Sequence, residues 1–251
     1  MSRGSGRTIA IGDVHGCAHA LDALLGAIAP GSSDQLLFLG DLIDQGRDSA
    51  AVLDRLIELQ RQCHVVLIQG NHEEMLSTAR ESESALRCWE NCGGVSTLNS
   101  YRFGASLKDI PDKHWQLLAT CRPYYETDRF ILTHANYVPD LPMSEQDALH
   151  LRWTLFEPEH MQPHRSGKTV IVGHTELPKF EILDLGFAIC IDTACCRYGW
   201  LTALDLDSRE YWQASRWGVM REEEEPHHHG KLPSFFTRHG TAESPEPALA
   251  G

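Results

Sequence analysis

Three stretches decide how this chain folds: TIAIGDVHG (Thr8 to Gly16), QLLFLGDLIDQG (Gln35 to Gly46) and HVVLIQGNHE (His64 to Glu73). Each begins as a short apolar run and breaks at a glycine followed by Asp or Asn. Near-continuous apolar runs of this length read as strands of a sheet buried on both faces. Between them lie helix-like segments, CAHALDALLGAIA and DSAAVLDRLIELQRQ. The second places Val52, Leu53, Leu56 and Ile57 at helical spacing, with Asp48 or Ser49 as N-cap. The order is βαβαβ, which predicts parallel pairing.

Working outward, RFILTHA (Arg129 to Ala135) and TVIVGHT (Thr169 to Thr175) repeat the strand pattern, each ending in a histidine. From Glu73 to Cys121 the chain reads as helical or irregular, with a glycine pair at Gly93-Gly94 and a helix starting near Pro111. After His174, the runs FEILDLG, FAICIDTA, WLTALDLDS and EYWQAS read as one antiparallel set joined by tight turns. The fold class is α/β, a sandwich of two mixed sheets with helices outside. Residues 1–218 form the domain. From Val219 the character changes to REEEEPHHHGK and SPEPALAG, which reads as a solvated, partly disordered extension.

The chain of 251 residues is long enough for a substantial core. Its formal net charge of −13 argues against general nucleic-acid binding. A phosphorylated substrate remains compatible, because bound cations reverse the local field. The eight cysteines match no zinc or CxxC spacing. The start, MSRGSGRTIAIGD, has no apolar signal region, and no run approaches the ~20 residues of a membrane helix. The expectation is a cytoplasmic protein with reduced thiols, most of them core residues, and no membrane association.

A lone histidine at a strand end is ordinarily a surface or satisfied core residue. Here five strand ends carry potential ligands: Asp13 and His15, Asp41 and Asp44, Asn71 and His72, His134, and His174. In open α/β sheets ligands gather at the carboxyl ends of strands. The set Asp13, His15, Asp41, Asn71, His134 and His174 offers nitrogen and oxygen and no thiolate, which suits Mn²⁺, Fe or Zn²⁺. Six ligands are too many for one open catalytic ion and right for two, with Asp41 as the natural bridge. Such a pair can clamp a phosphoryl group.

These motifs, GDVHG, GDLIDQG, GNHE and the two late histidines, closely resemble the calcineurin-like metallophosphoesterases, and among them the bacterial and phage serine/threonine protein phosphatases. The resemblance runs from Arg7 to Ser215 and includes WENCGGVSTLNSY and the late IDTA and GWLTALDLD. It implies a four-layer α/β/β/α sandwich and a phosphoric ester hydrolase with two divalent ions, Mn²⁺ foremost. Asp13, His15 and Asp41 would hold the first ion; Asp41, Asn71, His134 and His174 the second. A metal-bound hydroxide would attack, with no phosphoenzyme. His72 would protonate the leaving oxygen, and Asp44 would orient His72. The substrate would be a phosphoprotein or small phosphomonoester, with phosphodiesters or dinucleoside polyphosphates as the alternative. A non-catalytic binding module is disfavoured by the complete ligand set.

The chain departs from the family pattern at two points. Where those phosphatases carry GDxxDRG and RGNHE, this chain has Gln45 and Gln69. An amide offers neutral hydrogen bonds in place of a charged fork, which shifts weight toward substrates of lower charge. Arg47, Arg152 and Arg197 are candidates to hold phosphate instead, and Tyr198 to line the site.

Overall fold

The computed structural model describes residues 6–222 and 230–231. The first sheet has the order β11-β10-β9-β1-β2-β3, built from β1 (Thr8–Ile11), β2 (Gln35–Phe38), β3 (His64–Leu67), β9 (Leu201–Asp205), β10 (Glu210–Ala214) and β11 (Gly230–Lys231). The second has the order β4-β5-β6-β8-β7, from β4 (Tyr124–Glu126), β5 (Phe130–Thr133), β6 (Thr169–Val172), β7 (Leu183–Asp184) and β8 (Ala188–Cys190). β1, β2 and β3 pair in parallel, with Ile9 opposite Leu36 and Leu36 opposite Val65. β5, β6 and β8 also pair in parallel.

The four late runs are not one antiparallel set. β7 and β8 pair with each other in the second sheet, whereas β9 and β10 pair in the first, where β9 lies antiparallel to β1. A strand buried on both faces serves equally well in either sheet, so its apolar content does not say which one it joins.

Strand periodicity assigns the core. Ile9, Ile11, Leu36 and Phe38 face outward against α1 (Ala18–Ile28) and α2 (Ser49–Leu59). Their neighbours Ala10, Leu37 and Leu39 face inward against Leu132, Ile171 and Ile189 of the second sheet. The outer face of the second sheet, Ile131, Val170 and Val172, packs on Met143, Leu151 and Phe156. That outer layer is thin, made of α7 (Ala148–Arg152) and short 3₁₀ turns. Between β3 and β4 lie α3 (Asn71–Thr78), α4 (Glu83–Trp89), a π-helical turn over Glu90–Gly94, α5 (Val95–Tyr101) and α6 (Asp112–Leu118).

Asp48 occupies the N-cap position of α2, yet its side chain makes no capping hydrogen bond. The hydroxyl of Ser49 turns inward instead and accepts from the Asp44 N–H at 3.2 Å. Most of the extension read from Val219 onward lies outside the described residues; within it, Gly230–Lys231 pairs with Glu210 and Tyr211 at the sheet edge. No helix among the described residues is long and apolar enough to cross a membrane.

Candidate active site

The carboxyl ends of β1, β2 and β3 in one sheet and of β5 and β6 in the other converge on Asp41, which is 2% exposed. Four imidazoles surround its carboxylate: those of His15, His134 and His174, and that of His72, whose Nε2 is 3.9 Å from Oδ2 and which groups with His15 and Asp41. His15 Nε2 is 3.4 Å from Oδ2, and His134 Nε2 is 3.4 Å from Oδ1. With Asp41 and His134, His174 forms a group whose ligand atoms all lie within 4.8 Å of one another. In the first three rings the opposite nitrogen meets a backbone carbonyl: His15 Nδ1 that of Ile43 at 3.0 Å, His134 Nδ1 that of Leu39 at 2.8 Å, and His174 Nε2 that of Trp153 at 3.2 Å. A carbonyl can only accept, so the proton sits on that nitrogen and the nitrogen facing Asp41 is a bare lone pair.

Asn71 adds to this arrangement. Its side-chain oxygen lies 3.0 Å from His134 Nε2, 3.2 Å from His174 Nδ1 and 3.3 Å from each Asp41 oxygen. Lone pairs thus face lone pairs. Turning the amide over would give the protein alone a set of hydrogen bonds; a cation satisfies the same atoms with the oxygen facing inward. Asp13 repeats the pattern, since its Oδ2 accepts from the His174 N–H at 3.0 Å while its buried Oδ1 has no partner. The donor set therefore fits divalent cations, and the carbonyl-fixed rings have the outer-shell support that metal-bound histidines normally carry.

Backbone geometry brings these groups together. His15, Asp41, Asp44, Gln45 and His174 all have positive φ, between 44° and 71°. Such residues are uncommon outside glycine and concentrate at functional sites. Two glycines permit close approach: a Cβ on Gly173 would lie 2.1 Å from Asp13 Oδ1, and one on Gly70 2.1 Å from Asp41 Oδ1.

The sequence profile of the calcineurin-like phosphoesterases matches residues 6–198. The chain belongs to that family. Among curated relatives, it is 26% identical to the bis(5′-nucleosyl)-tetraphosphatase PrpE [asymmetrical] of Oceanobacillus iheyensis, over 80% of this chain and 89% of that one. It is 28% identical to serine/threonine-protein phosphatase 1 of Salmonella typhimurium, over 76% and 88%. Among solved structures, a cold-active protein tyrosine phosphatase shares the fold with a TM-score of 0.63 at 16% identity, covering 87% of this chain and 78% of that one. The family is dinuclear-metal-dependent, and its members hydrolyse phosphate esters.

In this phosphoesterase a second constellation adjoins the ligands. His72 Nδ1 donates to Asp44 Oδ2 at 2.8 Å, and Asp44 is fully buried. Asp44 Oδ2 also accepts from Trp89 Nε1 at 2.8 Å, and its Oδ1 from the Thr97 hydroxyl at 2.6 Å. Burial disfavours a charged His72, but Asp41, Asp44 and Glu73 outweigh it and raise the ring to about 9. The ligand imidazoles go the other way. Burial, then the charge of His72, pushes His15 down to about 3. Burial first, and the imidazole of His174 next, hold His134 well below its ordinary range, and burial also lowers His174. Neutral rings are the form that binds metal. Burial followed by neighbouring carboxylates raises Asp13, and burial raises Asp41 and brings Asp192 to about 7. Such an acidic cluster is what a bound cation would relieve.

Several contributors escaped the sequence reading. Glu73 accepts the N–H groups of Asp41, Leu42 and Gly70 at 2.8–2.9 Å, fastening the GDLID loop to the start of α3. Trp89 and Thr97 hold Asp44 from segments far along the chain. Asp192, buried two residues past β8, adds its charge to that of Asp13; the IDTA run was its only signal.

The candidate phosphate-holding residues are spread out. Arg152 donates to Gln69 Oε1 at 3.1 Å and to Glu74 Oε1 at 2.7 Å, while its buried Nε has no partner. Arg197 pairs with Glu176 at 2.6 Å, and Tyr198 is 86% exposed. Gln45 sits against the π-helical turn, its N–H donating to the Gly93 carbonyl. Arg47 is exposed, two residues before α2 begins, and lines a cavity beside the site.

Proposed function

We propose that this phosphoesterase is a phosphomonoesterase in which Asp13, His15 and Asp41 hold one divalent ion and Asp41, Asn71, His134 and His174 a second. The observation that carries this reading is the set of ring nitrogens turned toward Asp41 with their opposite nitrogens on backbone carbonyls, beside a histidine hydrogen-bonded to buried Asp44. Two such ions would neutralise phosphoryl charge and acidify a water. Nitrogen and oxygen donors without thiolate favour Mn²⁺, with Fe or Zn²⁺ as alternatives.

His72 is the proton donor. Its Nδ1 is committed to Asp44, so Nε2 carries the proton that passes to the leaving oxygen. Asp44 sets the ring's orientation and favours its charged form; Trp89 and Thr97 hold Asp44 in turn. Phosphate is gripped by some of Gln45, Gln69, Arg47, Arg152, Arg197 and Tyr198. The eight cysteines are unpaired, which suits a reducing compartment such as the cytoplasm.

A second reading is hydrolysis of phosphodiesters or dinucleoside polyphosphates, and the charge around the centre supports the first of these. Gln45 and Gln69 are neutral, and the guanidinium groups of Arg152 and Arg197 are paired with Glu74 and Glu176. A phosphodiester carries less charge than a monoester dianion and needs less cationic grip. The Oceanobacillus relative is itself a tetraphosphatase by name. The deciding experiment is a panel of p-nitrophenyl phosphate, its bis ester, a phosphoserine peptide and diadenosine tetraphosphate, run with Mn²⁺. A preference in kcat/KM for the first and third over the others supports the monoesterase. Preference for the tetraphosphate or bis ester replaces it with the second reading, and no hydrolysis of any member refutes both.

A further inference from the structure

The His174 ring is held at both nitrogens by groups anchored in one turn of α3. Its Nδ1 lies 3.2 Å from the Asn71 side chain, and its Nε2 donates to the Trp153 carbonyl at 3.2 Å. Trp153 is tied back to α3 in turn, because its Nε1 donates to Glu74 Oε2 at 2.6 Å. Asn71 and Glu74 are three residues apart in that helix and share a face. The circuit runs from Glu74 to Trp153 to His174 to Asn71 and closes on the same turn.

Trp153 needs that tie. It closes α7, a helix of five residues, too short to be stable by itself. Its carbonyl is among those that a helix end leaves without an intrahelical partner. The ring is 39% exposed, so the core covers only part of it and the bond to Glu74 sets its direction. The other oxygen of Glu74 accepts from Arg152 Nη2 at 2.7 Å, so one carboxylate takes two successive residues. Glu73 reaches the opposite way, to the GDLID loop. The helix that carries Asn71 and His72 is thereby fastened on one side by Glu73 and on the other by Glu74. On the Nδ1 side of His174, the Asn71 oxygen could accept a ring proton. Nδ1 therefore stays bare only while the Trp153 carbonyl remains within reach of Nε2.

We propose that Glu74 is a positioning residue of this centre: it fixes Trp153, whose carbonyl keeps the His174 proton on Nε2 and leaves Nδ1 free to bind a cation. This rests on reading His174 as a ligand of the second ion. Two variants separate positioning from plain stabilisation. Trp153→Phe, at a partly exposed position, keeps the bulk of the ring and the Glu74–Arg152 pair and removes only the indole N–H. Glu74→Gln keeps one acceptor oxygen, which can serve Trp153 or Arg152 but not both.

The first readout is the His174 tautomer in the metal-free full chain, taken from the ring-nitrogen chemical shifts at a pH where the ring is neutral. The parent should hold its proton on Nε2. Each variant should lower the ratio of Nε2–H to Nδ1–H roughly three- to tenfold, the scale of one neutral hydrogen bond. The second readout is Mn²⁺ binding by equilibrium dialysis. Both variants should weaken one of the two ions about three- to tenfold, less than the roughly 10–100-fold that follows outright loss of an outer-shell partner, because the carbonyl shifts and is not removed. A parent protonated on Nδ1, or a ratio unchanged in both variants, overturns the proposal whatever the protein does with Mn²⁺. A change in Glu74→Gln with Trp153→Phe at the parent value also overturns it, because Glu74 then acts through Arg152. A changed ratio in both variants of a chain that binds no Mn²⁺ supports the link from Glu74 to His174 and overturns the metal reading alone.

Discussion

Replacing Asp44 by Asn isolates the contribution of one carboxylate to the proposed proton donor. Asp44 and His72 meet at 2.8 Å with Asp44 fully buried. A hydrogen bond to a charged group in such a setting contributes about 1.5–3 kcal/mol. The amide can keep its oxygen toward His72 Nδ1 and Trp89 Nε1 and turn its NH₂ toward Thr97, whose hydroxyl can rotate to accept. The fold should therefore survive, and a melting curve close to the parent's is the first control. The energy lost corresponds to a factor of roughly 10–150 in kcat for an alkyl phosphate. The same energy should bring His72 in the metal-free protein from about 9 toward ~7–8, because the carboxylates of Asp41 and Glu73 remain. Histidine Cε1–H resonances followed against pH report the second quantity, and steady-state kinetics on alkyl and aryl phosphates the first. The aryl ester, with its better leaving group, should lose less. An unchanged His72 titration, or equal losses for the two esters, would refute the argument that Asp44 acts through the charge of His72.

His72→Asn should lower kcat by roughly two to four orders of magnitude with little change in KM, and the loss should again be smaller for p-nitrophenyl phosphate; a KM effect without a kcat effect would contradict proton donation. Glu73→Gln leaves at least one of the three N–H donors on that side chain unpaired, at a cost of about 1–3 kcal/mol. Calorimetry of the metal-free variant should show a melting temperature lower by roughly 2–10 °C, and an unchanged value would mean the loop is held by other contacts. Burial raises Asp13 and Asp41, neighbouring carboxylates adding to it at Asp13, so in the metal-free protein they keep protons at a pH where an exposed carboxyl has lost them. A cation binds the deprotonated form, so Mn²⁺ binding should release protons, and affinity should rise as pH climbs above the ordinary carboxyl range. Titration calorimetry in buffers of different ionisation enthalpy counts those protons, and a count of zero at the acid end would falsify the sign.

The strand ends were legible in the sequence because each couples a strong β signal to a glycine and a ligand within a few residues, as in TIAIGD and VIVGH. The first three strands were legible as a parallel set because two amphipathic helices separate them. The partition of the late strands was not, since β8 and β9 are buried on both faces and their apolar runs fit either sheet. Nor were the supports of Asp44 and Asp41. Trp89 and Thr97 reach Asp44 across 45 and 53 residues, and no local periodicity encodes such a contact. Glu73 lies inside the recognised GNHE run, but its work is done on backbone N–H groups, which carry no residue signature. Arg152 was a candidate phosphate ligand by composition; its engagement with Gln69 and Glu74 depends on how α7 packs on α3.

Five residues of the site hold the left-handed backbone that glycine adopts freely: His15, Asp41, Asp44, Gln45 and His174. Each departure from the favoured basin costs about 1–2 kcal/mol, softened at Asp and His, which enter that region more readily than most side chains. Together they amount to several kcal/mol in a molecule whose kind is stable by only about 5–15 kcal/mol. Glycine at any one of them would relax the turn and remove the side chain the turn exists to present. Selection for stability and selection for chemistry therefore pull in opposite directions at the same five codons. A descendant freed from the need to hydrolyse anything would drift toward glycine there before its core changed. Glycines at these positions, more than scattered losses elsewhere, would mark the relatives of this chain that have kept the fold and abandoned the reaction.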